Sequence, residues 1–323
     1  MKRSRRYFLH LAAGTFAVPI ATRTAVALNY PTRPVRILVG YPAGSGPDLV
    51  ARLLGQRLSE RFGQQFVVED RPGAGSNIAT EVVVRASPDG YTLLMAASTN
   101  AINAALYDKL NFDFMRDIVP VATIGRSPVV MVVNPSFPAK TLPDFITYAR
   151  GNAGKINFVS SGIGTLPHVA GELFSMLVGV NLVHVSYRSS YMPDLLSGQV
   201  QVAFTTIPTV IEYIRTARLR AIAIGSATRS DLLPDIPTVG DFVPGYEASG
   251  WYGICVTRGT ATEIIEKLNK EINAVVDDAD MKTHLVDLGA EPMLMTSDEF
   301  GEFIAHETGK WAKVIKFAGI KPD

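Results

Sequence analysis

The residues best suited to chemistry in this chain are backbone amides, and two short stretches present them. Tyr41-Pro42-Ala43-Gly44-Ser45-Gly46-Pro47-Asp48 follows the apolar run Val35–Val39 and precedes a helical pattern with Leu49, Leu53 and Leu54. A strand, a small-residue loop and a helix start aim unpaired N–H groups at one point, where the helix dipole adds partial positive charge. Such a corner attracts an anion without a cationic side chain. The same letters also describe an ordinary βα turn, in which glycines supply positive φ and Asp48 satisfies the first helical turn. Ser161-Gly162-Ile163-Gly164-Thr165 repeats the arrangement after Ile156–Ser160, with Pro167 in the next helix's first turn. Thr165 at that point is equally a helix cap. Two such corners facing each other would suit carboxylates, amides or other acceptor groups of a small molecule.

Catalytic constellations are hard to assemble from what remains. No G-x-S-x-G elbow, G-x-G-x-x-G fingerprint or G-x-x-x-x-G-K-[ST] loop occurs. His168 and Glu172 have i, i+4 spacing, but two potential ligands make a thin metal site, and no metal or cofactor is expected. His168 is read as orienting its loop or touching a ligand, and His184, in an apolar strand, as structural. Asp48 suits capping of loop amides, or an ammonium group, better than contact with a bare carboxylate. The rival enzymatic reading is a secreted α/β hydrolase with Ser161 as nucleophile and His168 as base.

The elements that must position these loops alternate. Strand runs at Val35–Val39, Gln65–Glu69, Thr92–Ala96, Val119–Ile124, Val129–Val133, Ile156–Ser160, Leu182–Val185, Val200–Phe204, Leu219–Ile224 and Trp251–Thr257 alternate with helical patterns almost throughout. That is the mark of parallel βαβ units, an α/β fold. Capping boxes are read at Thr260/Glu263 and Thr296/Glu299, and Gly63 closes the first helix. Two strand runs without an intervening helix near Arg126–Val133, and a strand after the Pro-rich Leu233–Gly245, mark places where the chain changes domain. The expected division is residues 28–128 plus 250–323 as one discontinuous lobe and 129–249 as the other, with a ligand cleft between them. Side chains at strand ends facing that cleft (Tyr41, Ser45, Ser98, Asn100, Thr165, His168, Tyr187, Thr205 and Thr206) would tune selectivity. Packing or capping is the alternative for several of them.

Residues 1–27 read as a cleaved export signal. Lys2, Arg3, Arg5 and Arg6 precede an apolar stretch from about Leu11 to Ile20, and Ala25-Val26-Ala27 offers a cleavage site. Arg5-Arg6-Tyr7-Phe8-Leu9 has twin-arginine character, with a general secretion signal as the alternative. Removing 27 of 323 residues leaves 296, and no later apolar run is long enough to cross a membrane. The leader holds five basic residues and no acid, so the remainder has 26 basic against 30 acidic residues. Nucleic-acid binding is disfavoured by that balance. The one cysteine, Cys255, cannot form an internal disulfide and reads as core.

The order of motifs resembles the substrate-binding receptors of tripartite tricarboxylate transporters, the Bug family. The matching segments are YPAGSGPDLVAR (41–52), EDRPGAGSNIA (69–79), SPDGYTLL (87–94), NFVSSGIGTLPHVAGELF (157–174), VHVSY (183–187), DLLSGQV (194–200), LPDIPTV (233–239), GYEASGWYG (245–253) and KWAKVIKFAGI (310–320). The resemblance implies a two-lobed, type II-like periplasmic binding protein, each lobe a mixed, mainly parallel sheet flanked by helices. It implies a monomeric receptor in the periplasm that closes on a small organic acid: a mono-, di- or tricarboxylate, or an aromatic or amino acid. It also implies delivery to membrane transporter subunits, or service as the ligand-sensing partner of a membrane kinase. Ligand contacts then fall on the loops carrying Tyr41, Ala43, Gly44, Ser45, Gly46 and Asp48, and Ser161, Gly162, Gly164, Thr165 and His168. Ser45 and Ser76 stand where the family usually has Gly, and the segment Arg188–Pro193 is shorter than the family's loop there.

Overall fold

The computed structural model describes residues 29–187 and 189–322; the expected export signal lies outside them, as does Arg188. The first half of the chain gives β1 (Val35–Val39), α1 (Gly46–Phe62), β2 (Phe66–Asp70), α2 (Asn77–Val84), β3 (Thr92–Ala97), α3 (Ser98–Leu106), α4 (Phe114–Asp117) and β4 (Ile118–Val133). Then follow α5 (Leu142–Gly151), β5 (Asn157–Ser160), α6 (Leu166–Val178), β6 (Val183–Ser186), α7 (Met192–Ser197), β7 (Val202–Thr206), α8 (Ile207–Arg215) and β8 (Arg220–Ile224). The chain ends with β9 (Ser249–Thr257), α9 (Thr262–Val276), α10 (Ala279–Asp287), β10 (Glu291–Pro292) and α11 (Ser297–Ala318).

The strands lie in the order β2-β1-β3-β9-β4-β7-β5-β6, with β8 and β10 also paired to β4. Strands β2, β1 and β3 are parallel, and so are β7, β5 and β6. Each triple is flanked by antiparallel strands, which makes a mixed, mainly parallel sheet in each half. In both triples the chain steps from the middle strand to one neighbour and returns to the other side. The gap between β1 and β3, and that between β5 and β7, are therefore topological switch points, where crevices open at the carboxyl ends of parallel strands.

The long strand β4 decides how the two crevices face. Ala97, at the end of β3, pairs with Tyr252, which pairs with Gly125. Thr206, at the end of β7, pairs antiparallel with Val129. The carboxyl ends of both parallel triples thus point at one short piece of β4, residues 125–129, from opposite sides. Along β4 their register positions are four residues apart, roughly 13 Å at about 3.3 Å per residue. Between Pro128 and Val129 the strand exchanges partners, from β9 to β7 and β8. The sequence read two runs here; the structure makes one strand with bulges near Pro120–Ala122 and Thr123–Gly125, because each run finds antiparallel partners without breaking the backbone.

One apolar cluster passes through both halves, joining Leu38 and Ala96 to Phe158, Phe174 and Phe204 by way of Trp251, Trp311 and Ile315. Trp251, 1% exposed, meets the ring edges of Phe300 and Phe303 on α11, at centroid distances of 5.5 and 5.7 Å. Gly253 on β9 is required by this contact, since a Cβ there would lie 2.4 Å from the Phe300 ring. The capping box at Thr296/Glu299 forms. The one read at Thr260 does not: Thr260 Oγ1 donates to the Thr257 carbonyl and Ala261 is the residue that precedes α9. Cys255 is buried, and burial pushes its thiol pKa up, as expected of a core residue.

Trp251→Ala should destabilise the protein by about 3–5 kcal/mol, as large-to-small core changes do. Trp251→Phe should cost less, because the indole N–H is buried without a partner and its removal relieves that cost. Urea unfolding midpoints of the two variants check the order; equal losses would contradict it.

Candidate functional site

In the first loop, backbone geometry separates engaged amides from open ones. Gly44, with φ +78°, donates its N–H to Asp48 Oδ2 at 2.7 Å. Ser45 N–H donates to the Pro42 carbonyl at 3.1 Å, and Leu49 N–H to the Ser45 carbonyl. The N–H groups of Ala43, Gly46 and Asp48 have no partner among the described residues. Ser45 occupies the position before α1, yet its hydroxyl does not cap the helix and is buried without a partner. Gly46 packs closely, since a Cβ there would lie 3.1 Å from the Tyr252 hydroxyl, which would have to give by a few tenths of an ångström. Asp48 is 1% exposed and ion-paired with Arg52, which also holds Asp70. Burial alone would raise the Asp48 pKa; the Gly44 N–H and the Arg52 guanidinium outweigh it and hold the carboxyl below its ordinary range. Asp48 therefore shapes the loop, as expected of a capping carboxylate.

The second loop is pinned from beneath by two histidines. Gly164 donates its N–H to His168 Nδ1 at 3.1 Å. Gly162 N–H donates to Ser160 Oγ, and Thr165 Oγ1 donates to the Gly162 carbonyl. Thr165 thus braces the loop and does not cap α6. Ser160 Oγ also lies 2.7 Å from His184 Nε2, and the His168 and His184 rings stack with centroids 3.6 Å apart and planes 9° apart. The N–H groups of Ser161, Ile163, Leu166 and His168 have no partner among the described residues. Burial holds the pKa of His168 down at about 3, with the His184 charge adding to it, and holds that of His184 at about 4. Burial pushes Glu172, whose Oε1 is 3.8 Å from His168 Nε2, up to about 7.

The loops share a neighbourhood across the halves. A Cβ on Gly164 would lie 2.5 Å from Leu106, the last residue of α3, and a Cβ on Gly250 3.4 Å from Leu166. Helix α3 starts at the first crevice with Ser98 and ends against the second loop, a rise of about 12 Å over its length. This agrees with the spacing read along β4.

The other expected side chains divide. Tyr41 stays at the first crevice near Thr99 and Tyr252; burial pushes its phenol up to about 12, with Thr99 acting against it and Tyr252 adding to it. Ser98, buried, begins α3, and Thr206, hydrogen-bonded to Thr209, stands at the mouth of the second crevice. Three have their polar atoms engaged by neighbouring groups of the protein. The Asn100 side chain accepts from Ala97 N–H and donates to Thr80. Tyr187 donates to Asp194, and Thr205 is bonded to the Tyr191 hydroxyl. Likewise the N–H groups of Gly44, Ser45, Gly162 and Gly164 serve their own loops. Sequence reasoning missed Thr99, Tyr252 and the His184 stack. Tyr252 lies in the SGWYG segment, but its place beside Gly46 depends on pairing between distant strands.

The geometry disfavours the hydrolase pairing of Ser161 with His168. His168 Nδ1 already accepts from Gly164, and the serine bonded to a histidine is Ser160, which is fully buried and out of a substrate's reach. Among the described residues no three His, Cys, Asp or Glu side chains gather as a metal site. A groove of about 430 Å³ between α1 and edge strand β2 is lined by Arg52, Gln56, Ser59 and Phe66, and involves neither loop.

Asp48→Ala leaves the Gly44 N–H without its acceptor and Arg52 with Asp70 alone, and should cost about 1–3 kcal/mol. In the native protein the stability that Asp48 supplies is full above the ordinary aspartate range and drains away as pH falls toward its depressed folded value. Urea unfolding from pH 7 to pH 3 checks both statements: the variant should lose less stability on acidification than the native chain.

The match to a family model covers residues 50–320, and that family is described as the tripartite tricarboxylate transporter family receptor. Protein BugT of Bordetella pertussis is 33% identical over 318 residues, covering 97% of this chain and 96% of its own. An R. palustris protein solved with adipate superposes with a TM-score of 0.78 at 33% identity, over 91% of this chain and all of that one. MatC from Rhodopseudomonas palustris, solved with bound malate, gives 0.74 at 28% identity over 88% of this chain and all of its own. With its two mixed sheets, facing crevices and full-length matches, the chain belongs to the tripartite tricarboxylate transporter receptor family, the periplasmic solute-binding receptors that include the Bug proteins.

Proposed function

We propose that this protein is an exported receptor, not an enzyme, which captures a small carboxylate between its two amide-lined loops and delivers it to a tripartite carrier. The observation that carries this reading is the pair of N–H sets without partners, Ala43, Gly46 and Asp48 after β1 and Ser161, Ile163 and His168 after β5, on loops of two parallel triples whose carboxyl ends point at one piece of β4. Partial positive charge at two helix starts suits an anion and needs no arginine or lysine. Relatives solved with adipate and malate support the same ligand class.

Closure is proposed about the two crossings, Arg126–Val133 and Glu247–Gly253, with residues 28–128 plus 250–323 as one lobe and 129–249 as the other. The exchange of strand partners at Pro128/Val129, and the return of the chain at Ser249, support that division. Cleavage of residues 1–27 would free the receptor into the periplasm, and among the described residues no helix is long and apolar enough to cross a membrane.

Adipate or malate at one hundred times its Kd should stabilise the mature protein by about 2.7 kcal/mol through mass action. The melting temperature should rise by several degrees, while the dimethyl esters leave it unchanged. Small-angle scattering should show a more compact particle with the acid bound. Absence of any shift across mono-, di- and tricarboxylates, together with ester or amide turnover lost in Ser161→Ala, would replace the receptor with a hydrolase.

A further inference from the structure

Anion capture by amides does not by itself require the histidine stack beneath the second loop. We propose that His168 and His184 are positioning residues: as a stacked, uncharged pair they hold the 161–165 loop so that its Ser161 and Ile163 N–H groups face the ligand. The inference rests on the carboxylate reading above but concerns how the loop is set.

Each ring holds one end of the loop. His168 Nδ1 accepts the Gly164 N–H, so the ring proton sits on Nε2, toward Glu172. With its hydroxyl proton given to the Gly162 carbonyl, Ser160 Oγ accepts from His184 Nε2–H and from the Gly162 N–H. The stack ties the two supports together, and Phe158 of β5 packs against both rings. Among the described residues the titratable groups facing the pair are Glu172, on α6 itself, and each ring for the other. His168 is 5% exposed.

This arrangement works only while the rings are neutral. A proton on His168 Nδ1 would set donor against donor at Gly164, and two imidazolium rings stacked face to face would repel. Burial keeps both rings uncharged through the range in which solvated histidine titrates. Glu172, which burial pushes up to about 7, faces the Nε2 side of the ring at 3.8 Å, so its ionised form favours the tautomer that leaves Nδ1 bare. The loop therefore hangs from two histidines yet should not respond to pH between about 5 and 8, where a free imidazole changes charge.

The test compares His168→Asn, whose Oδ1 replaces the Nδ1 acceptor, with His168→Leu, which keeps bulk and loses the acceptor. Adipate titrations of the mature protein should show His168→Leu weakened roughly tenfold or more and His168→Asn within about threefold of the native chain. Hydrogen exchange of the Gly164 amide should speed up in His168→Leu alone, and in the native protein its protection should stay flat from pH 8 to pH 5. Equal losses in both variants with unchanged Gly164 exchange, or protection lost between pH 7 and pH 5, would overturn the proposal. Should adipate fail to bind the native protein, the carboxylate reading fails, while the Gly164 exchange rates still decide the role of the histidines.

Discussion

The antiparallel register among β3, β9, β4 and β7 is the constraint on which the rest depends. It brings the carboxyl ends of two parallel triples to within a few residues of each other on β4. Either triple alone would offer one crevice with a few open amides, the common consequence of a parallel α/β sheet. In the proposed reading, the shared strand turns two ordinary crevices into one site with donors on both sides. The apolar cluster that spans both halves through Trp251 and α11 holds that register in place.

Within each crevice the chemistry is set by which amides the loop uses on itself. Asp48 and His168 have parallel roles: each sits in the first turn of the helix after its loop and accepts one glycine N–H, from Gly44 and from Gly164. One is a carboxylate held charged by Arg52, the other an imidazole held neutral by burial. In both cases the side chain fixes the loop and leaves neighbouring N–H groups open. The proposed ligand-facing surface is therefore mostly backbone, which needs no excess of basic residues: residues 28–323 hold 26 basic against 30 acidic.

Much of this was legible in the sequence because the signals are local. The strand, small-residue loop and helix order at 35–62 and 156–178 appears as read, with Gly63 closing α1 in the left-handed conformation. Asp48 as a loop cap follows from its place three residues into the helix. What was not legible is nonlocal or depends on individual bonds. Pairing of Pro128 with Ser249 places Tyr252 beside Gly46, and no short window of sequence contains that. Helix α3 was missed because Ser98-Thr99-Asn100 directly continues a buried strand and carries weak helix formers. Asn100, Tyr187 and Thr205 lie near the crevices as expected, but their polar atoms are engaged inside the protein, which only coordinates reveal.

The central claim is that two backbone surfaces, one from each half, grip the same anion. Amide chemical-shift mapping of the mature, ¹⁵N-labelled protein during titration with adipate tests it most directly. Ala43 and Gly46 should shift together with Ser161 and Ile163, along one binding curve. Shifts confined to a single loop, or centred on the groove between α1 and β2, would contradict the account.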